Sequence, residues 1–186
     1  MKIEGIRIAG SPAAPLLTLI VGPSAEGREV GEVKKDRAGR YQVRKLFWTA
    51  LLDHARSRTK LHGAISPTEY SWVGTSAGVS GLGLNCAVTQ HGTSVELYID
   101  RGRGAERENE AIFDSLAARR ETIEGEFGGP LSWERLEGKR ACRIAQRFDD
   151  GGYKDNERWP QTRQQMTDAM VRLERALRPR LDELPV

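Results

Sequence analysis

The stretch from Gly81 to Gly104, GLGLNCAVTQHGTSVELYIDRGRG, constrains the fold of this chain more than any other. Apolar residues alternate with small or polar ones on both sides of a His91-Gly92 turn. Such alternation with a period of two predicts an antiparallel β-hairpin with one buried face. The buried face would carry Leu82, Leu84, Cys86, Val88, Val95, Leu97 and Ile99, and the other face Asn85, Thr89, Glu96, Tyr98 and Asp100.

Three segments have helical periodicity: 36–58, 106–127 and a last one that starts at Pro160. Asp36 is a candidate N-cap for the first helix. A Gly-Gly-Pro sequence follows the second, as is typical of a helix end. Proline suits the first turn of a helix because its missing N–H costs nothing there, whereas Pro179 should end or kink the last helix.

The remaining predicted strands are short: 3–8, 16–21, 72–74, 131–136 and 140–148. The last two form a second hairpin, and residues 22–35 read as a polar loop. The expected fold class is α+β, a mostly antiparallel sheet of two hairpins packed against about three α-helices. We expect residues 1–35 to form N-terminal strands and a linker, and residues 36–186 a single α+β domain.

The composition sets limits on location and partners. The 186 residues include 29 Lys and Arg and 26 Asp and Glu, so the net charge is only +3. This balance is compatible with nucleic-acid binding but does not argue for it. No stretch approaches the roughly 20 apolar residues that a membrane-spanning helix needs, and Met1 to Gly10 has no apolar run. We therefore expect a cytoplasmic protein that makes no membrane contact.

Cys86 and Cys142 both fall inside predicted strands. Free cysteines behave as small apolar residues and are often buried. The simplest interpretation is two reduced core thiols. A disulfide is the minor alternative, and the spacing fits no metal-binding motif.

The sequence Gly74-Thr75-Ser76-Ala77-Gly78 matches G-x-S-x-G, the nucleophile motif of serine hydrolases. That motif requires a strand, a sharp turn and a helix, whereas here more glycines and a strand follow. The order of residues is also wrong, since His91 is the only histidine after Ser76. The same glycines lack the lysine and helix start of a phosphate-binding loop. We interpret this segment as a loop and strand entry.

Glu32-Val33-Lys34 matches the E-x-K half of a PD-(D/E)xK nuclease site. A complete site needs an acidic residue upstream, because two carboxylates hold the magnesium ion. No aspartate precedes Asp36, and of the upstream glutamates Glu4, Glu26 and Glu29 the last two lie in the same predicted loop. Glu121 and Glu124 share a helix side but no histidine accompanies them. We therefore predict no catalytic residue, no metal site and no cofactor, and an enzymatic activity is not favoured.

Two groups of residues remain as candidate sites. The first is basic and carries one aromatic residue, and guanidinium groups suit phosphates while an indole can stack on a base. A solvated helix face is the alternative interpretation of this group. It comprises Lys34, Lys35, Arg37, Arg40, Arg44 and Trp48. The second is the polar side of the first hairpin, with Asn85, Glu96, Tyr98 and Asp100.

Long stretches of this chain resemble an uncharacterised bacterial and archaeal family, the domain of unknown function numbered 4268. They cover about Lys45 to Leu181 and read LFWTALLDHA, TKLHGAISPTEYSWVGTSAGVSGLGLN, VELYIDRG, NEAIFDSL, IEGEFGGPLSWERLEGKRACRI and WPQTRQQMTDAMVRLERALRP. The resemblance supplies no catalytic residue.

In longer members of this family, the module follows a restriction-endonuclease-like PD-(D/E)xK domain. The segment PLLTLIVGPSAEGREVGEVKK resembles the junction between the two parts. The resemblance therefore implies a non-catalytic, nucleic-acid-associated accessory module of a nuclease or defence system. Its partners would be DNA or RNA and an upstream or separate nuclease domain. The alternative is a protein-interaction module, such as a homodimerisation domain, without nucleic-acid affinity.

Overall fold

The computed structural model describes residues 2–6, 14–18 and 25–184, and the side chains of residues 38–184. The chain divides into two compact units, residues 1–39 and residues 40–186. In the first unit, β1 (Lys2–Ile6) pairs antiparallel with β2 (Ala14–Thr18). The two strands expected at the N-terminus are thus present.

The second unit contains one five-stranded sheet in which every pairing is antiparallel. Its spatial order is β3-β4-β5-β7-β6, with β5 in the centre. Both predicted hairpins are confirmed, as β4–β5 and β6–β7. The strands are β3 (Trp72–Ser76), β4 (Leu82–Val88), β5 (Thr93–Ile99), β6 (Ser132–Arg135) and β7 (Cys142–Phe148).

The register places the apolar residues of neighbouring strands on one side of the sheet. Leu84 pairs with Leu97, and Leu97 with Ile144. All three side chains are fully buried. The period-two alternation of the first hairpin therefore identified the core side of β4 and β5 correctly.

Four helices accompany the sheet: α1 (Ala25–Arg56), α2 (Glu106–Ala117), α3 (Arg120–Phe127) and α4 (Trp159–Asp182), the last preceded by a 3₁₀ turn (Asn156–Arg158). Helix α4 packs on β4 and β5, and α2 packs on β5, β6 and β7. Within the described part of the chain, no helix is long and apolar enough to cross a membrane. The α+β fold class is confirmed.

The predicted start of the first helix is wrong. The helix begins at Ala25, inside the segment that was expected to be a polar loop, and Asp36 lies within it. Residues 25–35 are dominated by Ala, Glu, Lys, Arg and Val, and most of these residues favour a helix. The cost of about 1 kcal/mol each for Gly27 and Gly31 does not prevent the helix from forming.

The other two helices also differ from expectation. The segment 106–127 is two helices rather than one, because the chain leaves helical geometry at Arg119 (φ −110°, ψ 18°). Helix α4 continues past Pro179 to Asp182, so of the two expected outcomes near Arg178, an end or a kink, the end is wrong. Leu181 is buried, and Arg180 is paired with Glu126 at 2.6 Å, so the last turn is held in place by contacts beyond the proline.

Cys86 and Cys142 are both buried and free, which confirms the prediction of two reduced core thiols. Burial, with a smaller contribution from the nearby Glu96, raises the pKa of the Cys86 thiol to about 12. Because the thiolate is the reactive form, this thiol is inert at neutral pH.

Candidate functional site

The side of the sheet opposite the core carries polar side chains. Asn85 lies opposite Glu96, and Tyr98 lies opposite Arg143, as the strand register dictates. The alternation in the sequence placed Asn85, Glu96 and Tyr98 on this side correctly. We call this surface the polar face and define it by Trp72, Asn85, Ser94, Glu96, Tyr98, Glu134, Arg143 and Arg147.

An ion-pair network ties three strands of the polar face together. Arg143 on β7 donates to Glu134 on β6 at 2.5 Å and to Glu96 on β5 at 3.3 Å. Arg147, further along β7 on the same side, donates to Glu134 at 2.8 Å. Two arginines and two carboxylates therefore compensate each other, and the centre of the face has no net charge when all four are ionised.

The two carboxylates of this network differ in acidity. Burial raises the pKa of Glu96, and the neighbouring Arg143 only partly opposes that effect. For Glu134, burial acts in the same direction, but hydrogen bonds from Arg143 and Arg147 outweigh it and lower the pKa. Glu134 is thus held as a carboxylate, whereas Glu96 takes up a proton more readily than a free glutamate.

Asp100, the fourth residue of the predicted polar site, lies just beyond the end of β5. Its carboxylate accepts hydrogen bonds from Arg140 at 2.7 and 3.0 Å and from the Gly102 backbone N–H at 3.0 Å. The bonds from Arg140 lower the pKa of Asp100. Asp100 therefore holds the end of β5 in place, and its carboxylate is already hydrogen-bonded to neighbouring groups. Burial raises the pKa of the nearby Tyr98, and the negative charges of Asp100 and Glu96 add to this effect.

Two aromatic side chains lie on the polar face. Trp72, at the start of the edge strand β3, is 52% exposed, and Tyr98 on the central strand is half-buried. Gly74 follows on the same side of β3, where a Cβ atom would lie 1.8 Å from Oδ1 of Asn85. The glycine thus leaves room for the Asn85 amide beside Trp72.

The predicted basic group is only partly an exposed surface. Arg40 is exposed, while the guanidinium of Arg44 lies 5.1 Å from the ring centre of Tyr153 and packs against it. The backbone of Lys34, Lys35 and Arg37 belongs to α1, but their side chains lie outside the described residues.

The prediction that Trp48 stacks on a base is wrong. Trp48 is fully buried, and its indole N–H donates to the Tyr70 carbonyl at 2.8 Å. The buried stripe of α1 is wide enough to include both Phe47 and Trp48, whose rings meet edge to face at 5.1 Å. Adjacent helical residues differ by about 100°, so a stripe this broad takes in both side chains.

Ser76 of the G-x-S-x-G match is the last residue of β3. A turn and then β4 follow it, as the sequence predicted. The strand, turn and helix that form a nucleophile elbow are therefore not found around Ser76. Its hydroxyl accepts a hydrogen bond from the Gly78 backbone N–H at 3.1 Å. In the described residues, no group of three or more His, Cys, Asp or Glu side chains is arranged to hold a metal ion.

Sequence reasoning missed two features of the second unit. His62 is buried and its Nε2 lies 3.2 Å from the Leu84 carbonyl, and burial lowers its pKa. Nothing in its surrounding loop sequence signals this position. For Trp72, the sequence pattern was interpreted only as a strand leading into the hairpin, and the exposure of its side chain was not predicted. The alternation of Trp72 with Val73, which is buried, would have identified its outward direction.

These elements define an α+β domain whose antiparallel sheet carries a core on one side and a partly exposed polar face on the other. The chain belongs to the family described as Domain of unknown function (DUF4268), whose sequence model matches residues 43–181. No curated protein matches the chain. No solved structure matches it either.

Proposed function

We propose that this domain is a non-catalytic nucleic-acid-binding module that receives a single strand on its polar face. The observation that carries the proposal is the exposed indole of Trp72 on a sheet face that also holds Tyr98, Arg143 and Arg147. Bases stack on aromatic rings regardless of sequence, and each such contact is worth about 1–3 kcal/mol. Guanidinium groups supply phosphate contacts.

The spacing of the two aromatic rings suits a short run of nucleotides. Tyr98 is level with Ser76 across the sheet, through Gly83 of β4. Ser76 lies four residues along β3 from Trp72, which is about 13 Å of extended strand. Tyr98 also lies two strands away from Trp72, which adds about 10 Å across the sheet, so the two Cα atoms are about 16 Å apart. An extended segment of two or three nucleotides spans about this distance.

The charge balance of the polar face determines the kind of binding. Because Glu96 and Glu134 neutralise the two arginines, stacking and hydrogen bonding contribute more than phosphate contacts. Arg40 and Lys45 are exposed on α1, which contributes to the core on the opposite side of the sheet, so they contact phosphates only of a strand that continues beyond the polar face. Two phosphate contacts on a single strand give a slope of about −1.4 for log affinity against log salt.

The cellular context is part of the proposal. The resemblance to modules that follow a PD-(D/E)xK domain supports a role beside a nuclease, in the cytoplasm of a prokaryotic cell. In this role the domain holds a strand while the nuclease cleaves it.

The test is binding of fluorescently labelled oligonucleotides to the full chain, followed by anisotropy at two salt concentrations. We expect micromolar affinity for single-stranded DNA or RNA and weaker binding of duplex. Trp72→Ala should weaken single-strand binding about tenfold or more, because one stacking contact is lost. Val171→Ala removes an exposed apolar side chain on α4 and should leave affinity unchanged.

Arginine substitutions provide a second, independent comparison. Arg147→Gln on the polar face should weaken binding through the loss of hydrogen-bond donors, with little change in the salt slope because Glu134 neutralises the arginine. Arg158→Gln is the matched control, because Arg158 is similarly exposed and similarly paired, with Asp150, and neither residue belongs to the polar face. The proposal fails if no oligonucleotide binds at micromolar protein, or if Trp72→Ala and Val171→Ala bind equally well.

A further inference from the structure

Strand β3 lies at one edge of the five-stranded sheet, and β6 lies at the other. In the part of the chain that the structure describes, no strand pairs with the outer side of β3. An edge strand presents a row of backbone donors and acceptors on which another strand can form.

The hydrogen bonds at both ends of β3 show which backbone groups point outward. The Ser71 carbonyl accepts from Val88 N–H at 2.8 Å, and Ala77 N–H donates to the Leu82 carbonyl at 2.9 Å. In an antiparallel pair, every second residue directs its N–H and C=O toward the partner strand. Residues 71, 73, 75 and 77 therefore face β4, and the residues between them face outward.

The outward-facing residues are Trp72, Gly74 and Ser76. A hydrogen bond from the Thr68 hydroxyl reaches the Trp72 carbonyl at 3.2 Å, as expected for a group that points away from β4. A carbonyl has two lone pairs and can accept a second bond. The edge thus offers three backbone N–H groups and three carbonyls to a further strand.

The side chains of β3 leave this edge unprotected. Its sequence, Trp-Val-Gly-Thr-Ser, contains no charged residue and no proline. At the other edge, β6 has only four residues and two of them, Glu134 and Arg135, are charged. Natural sheets usually guard an edge with charges, prolines or short strands. In this sheet, β6 is short and charged, whereas β3 has neither charges nor proline to prevent pairing with another strand.

We propose that β3 pairs with β3 of a second copy of this chain, antiparallel and about a two-fold axis at Gly74. Gly74 then faces its own counterpart, and Trp72 faces Ser76 of the partner subunit. Such pairing forms about six backbone hydrogen bonds. Because β3 carries no charged residue, no like charges meet across a symmetric pair of these strands.

The pairing leaves the polar face accessible. The Trp72 side chain points to that face and not along the edge, and the residue opposite it across the new pair is a small serine. The two sheets join into one continuous surface with the indole of each copy near its middle. The dimer therefore does not compete with nucleic-acid binding on the same face.

The experiment is sedimentation equilibrium of the full chain over a range of concentrations. The monomer mass is 20.7 kDa, and we expect the wild type to sediment at twice that mass at micromolar concentration. Ser76→Pro removes an outward N–H and should raise the dissociation constant at least tenfold. Ser76→Ala keeps that N–H while losing the hydroxyl bond to Gly78, so it is the matched control and should remain dimeric.

A second variant guards against misfolding of the proline variant. Ser76→Glu leaves the backbone intact and places a carboxylate opposite the negative ring face of Trp72 of the partner subunit, and it should also produce monomers with an unchanged circular dichroism spectrum. A wild-type chain that is still monomeric at about 100 μM protein would overturn the proposal. It is equally overturned if the proline and glutamate variants both dimerise like the wild type, or if the chain stays monomeric and captures a strand of another protein.

Discussion

Glu96 shows how far one residue on a polar sheet surface can differ from a solvated carboxylate. Its side chain lies in the central strand between Asn85 and Ala145, and the residue is only 6% exposed. Burial raises its pKa although Arg143 lies 3.3 Å away. The sequence predicted the correct side of the sheet for this residue, but the loss of solvent depends on side chains that arrive from β6 and β7.

The raised pKa of Glu96 predicts a pH dependence of stability. A glutamate in the unfolded chain titrates near 4.5, below the folded value, so the folded state takes up the proton first as pH falls. This group therefore penalises folding at neutral pH, and the penalty decreases as pH falls toward 4.5. In Glu96→Gln, which cannot titrate, this dependence should be absent.

Urea unfolding at several pH values between about 7 and 5 measures the effect. The free energy of unfolding of the wild type, relative to Glu96→Gln, should rise as pH falls. Glu137→Gln, a change at an exposed glutamate in the β6–β7 turn, should show no such trend relative to the wild type. A constant difference between wild type and Glu96→Gln over this range would show that the carboxyl titrates alike in both states.

At the scale of elements, local patterns predicted strands better than helix limits. The alternation in β4 and β5 and the glycine turn between them lie within a few residues of each other, so both hairpins could be found. The start of α1 could not, because Gly27 and Gly31 read as loop residues. The burial of Trp48 was also missed, because it depends on the elements packed against α1, whereas the alternation of Trp72 with Val73 in the sequence contains the outward direction of Trp72.

Gly81 lies just before β4, at the open end of the first hairpin. Its replacement tests how much this position contributes to stability. Gly81 has φ +79°, and its carbonyl accepts from Asp100 N–H at 2.8 Å. A Cβ atom there would lie 2.6 Å from the Cα of Arg101, a backbone atom that cannot turn aside. Gly81→Ala should therefore cost about 3 kcal/mol or more, from backbone strain plus this clash.

The comparison is Gly128→Ala at the end of α3. Gly128 has φ +86°, similar to Gly81, but nothing lies within 4 Å of the position that a Cβ atom would occupy. Only the backbone strain of about 1–2 kcal/mol should appear there. Denaturant unfolding of both variants measures the difference, and equal losses would show that the contact with Arg101 relaxes freely.

At the scale of the whole molecule, the described hydrophobic core lies within residues 47–184. It is built from the sheet and from residues of α1, α2, α3 and α4, such as Phe47, Leu116, Ile123 and Leu173. A unit with its own core folds as an autonomous domain in most proteins. The division of the chain near Gly39 is consistent with this expectation.

We therefore predict that residues 40–186 fold without the first unit. The truncated chain should give a single cooperative urea transition and keep the near-ultraviolet circular dichroism of its buried tryptophan Trp48. Its midpoint should lie close to that of the corresponding transition of the full chain. A gradual, non-cooperative transition would show that residues 1–39 are required for the core to form.

The contact between Gly74 and Asn85 has a consequence for how this family varies. Gly74 has ordinary strand geometry, so what restricts it is the amide that occupies the space where its Cβ would lie. An alanine at position 74 becomes less costly once position 85 is reduced to alanine or glycine, although its Cβ atom would still lie 3.3 Å from the Leu84 carbonyl oxygen. The two positions should therefore change together among relatives, and a substitution at position 74 that is harmful alone should cost less beside a small residue at position 85.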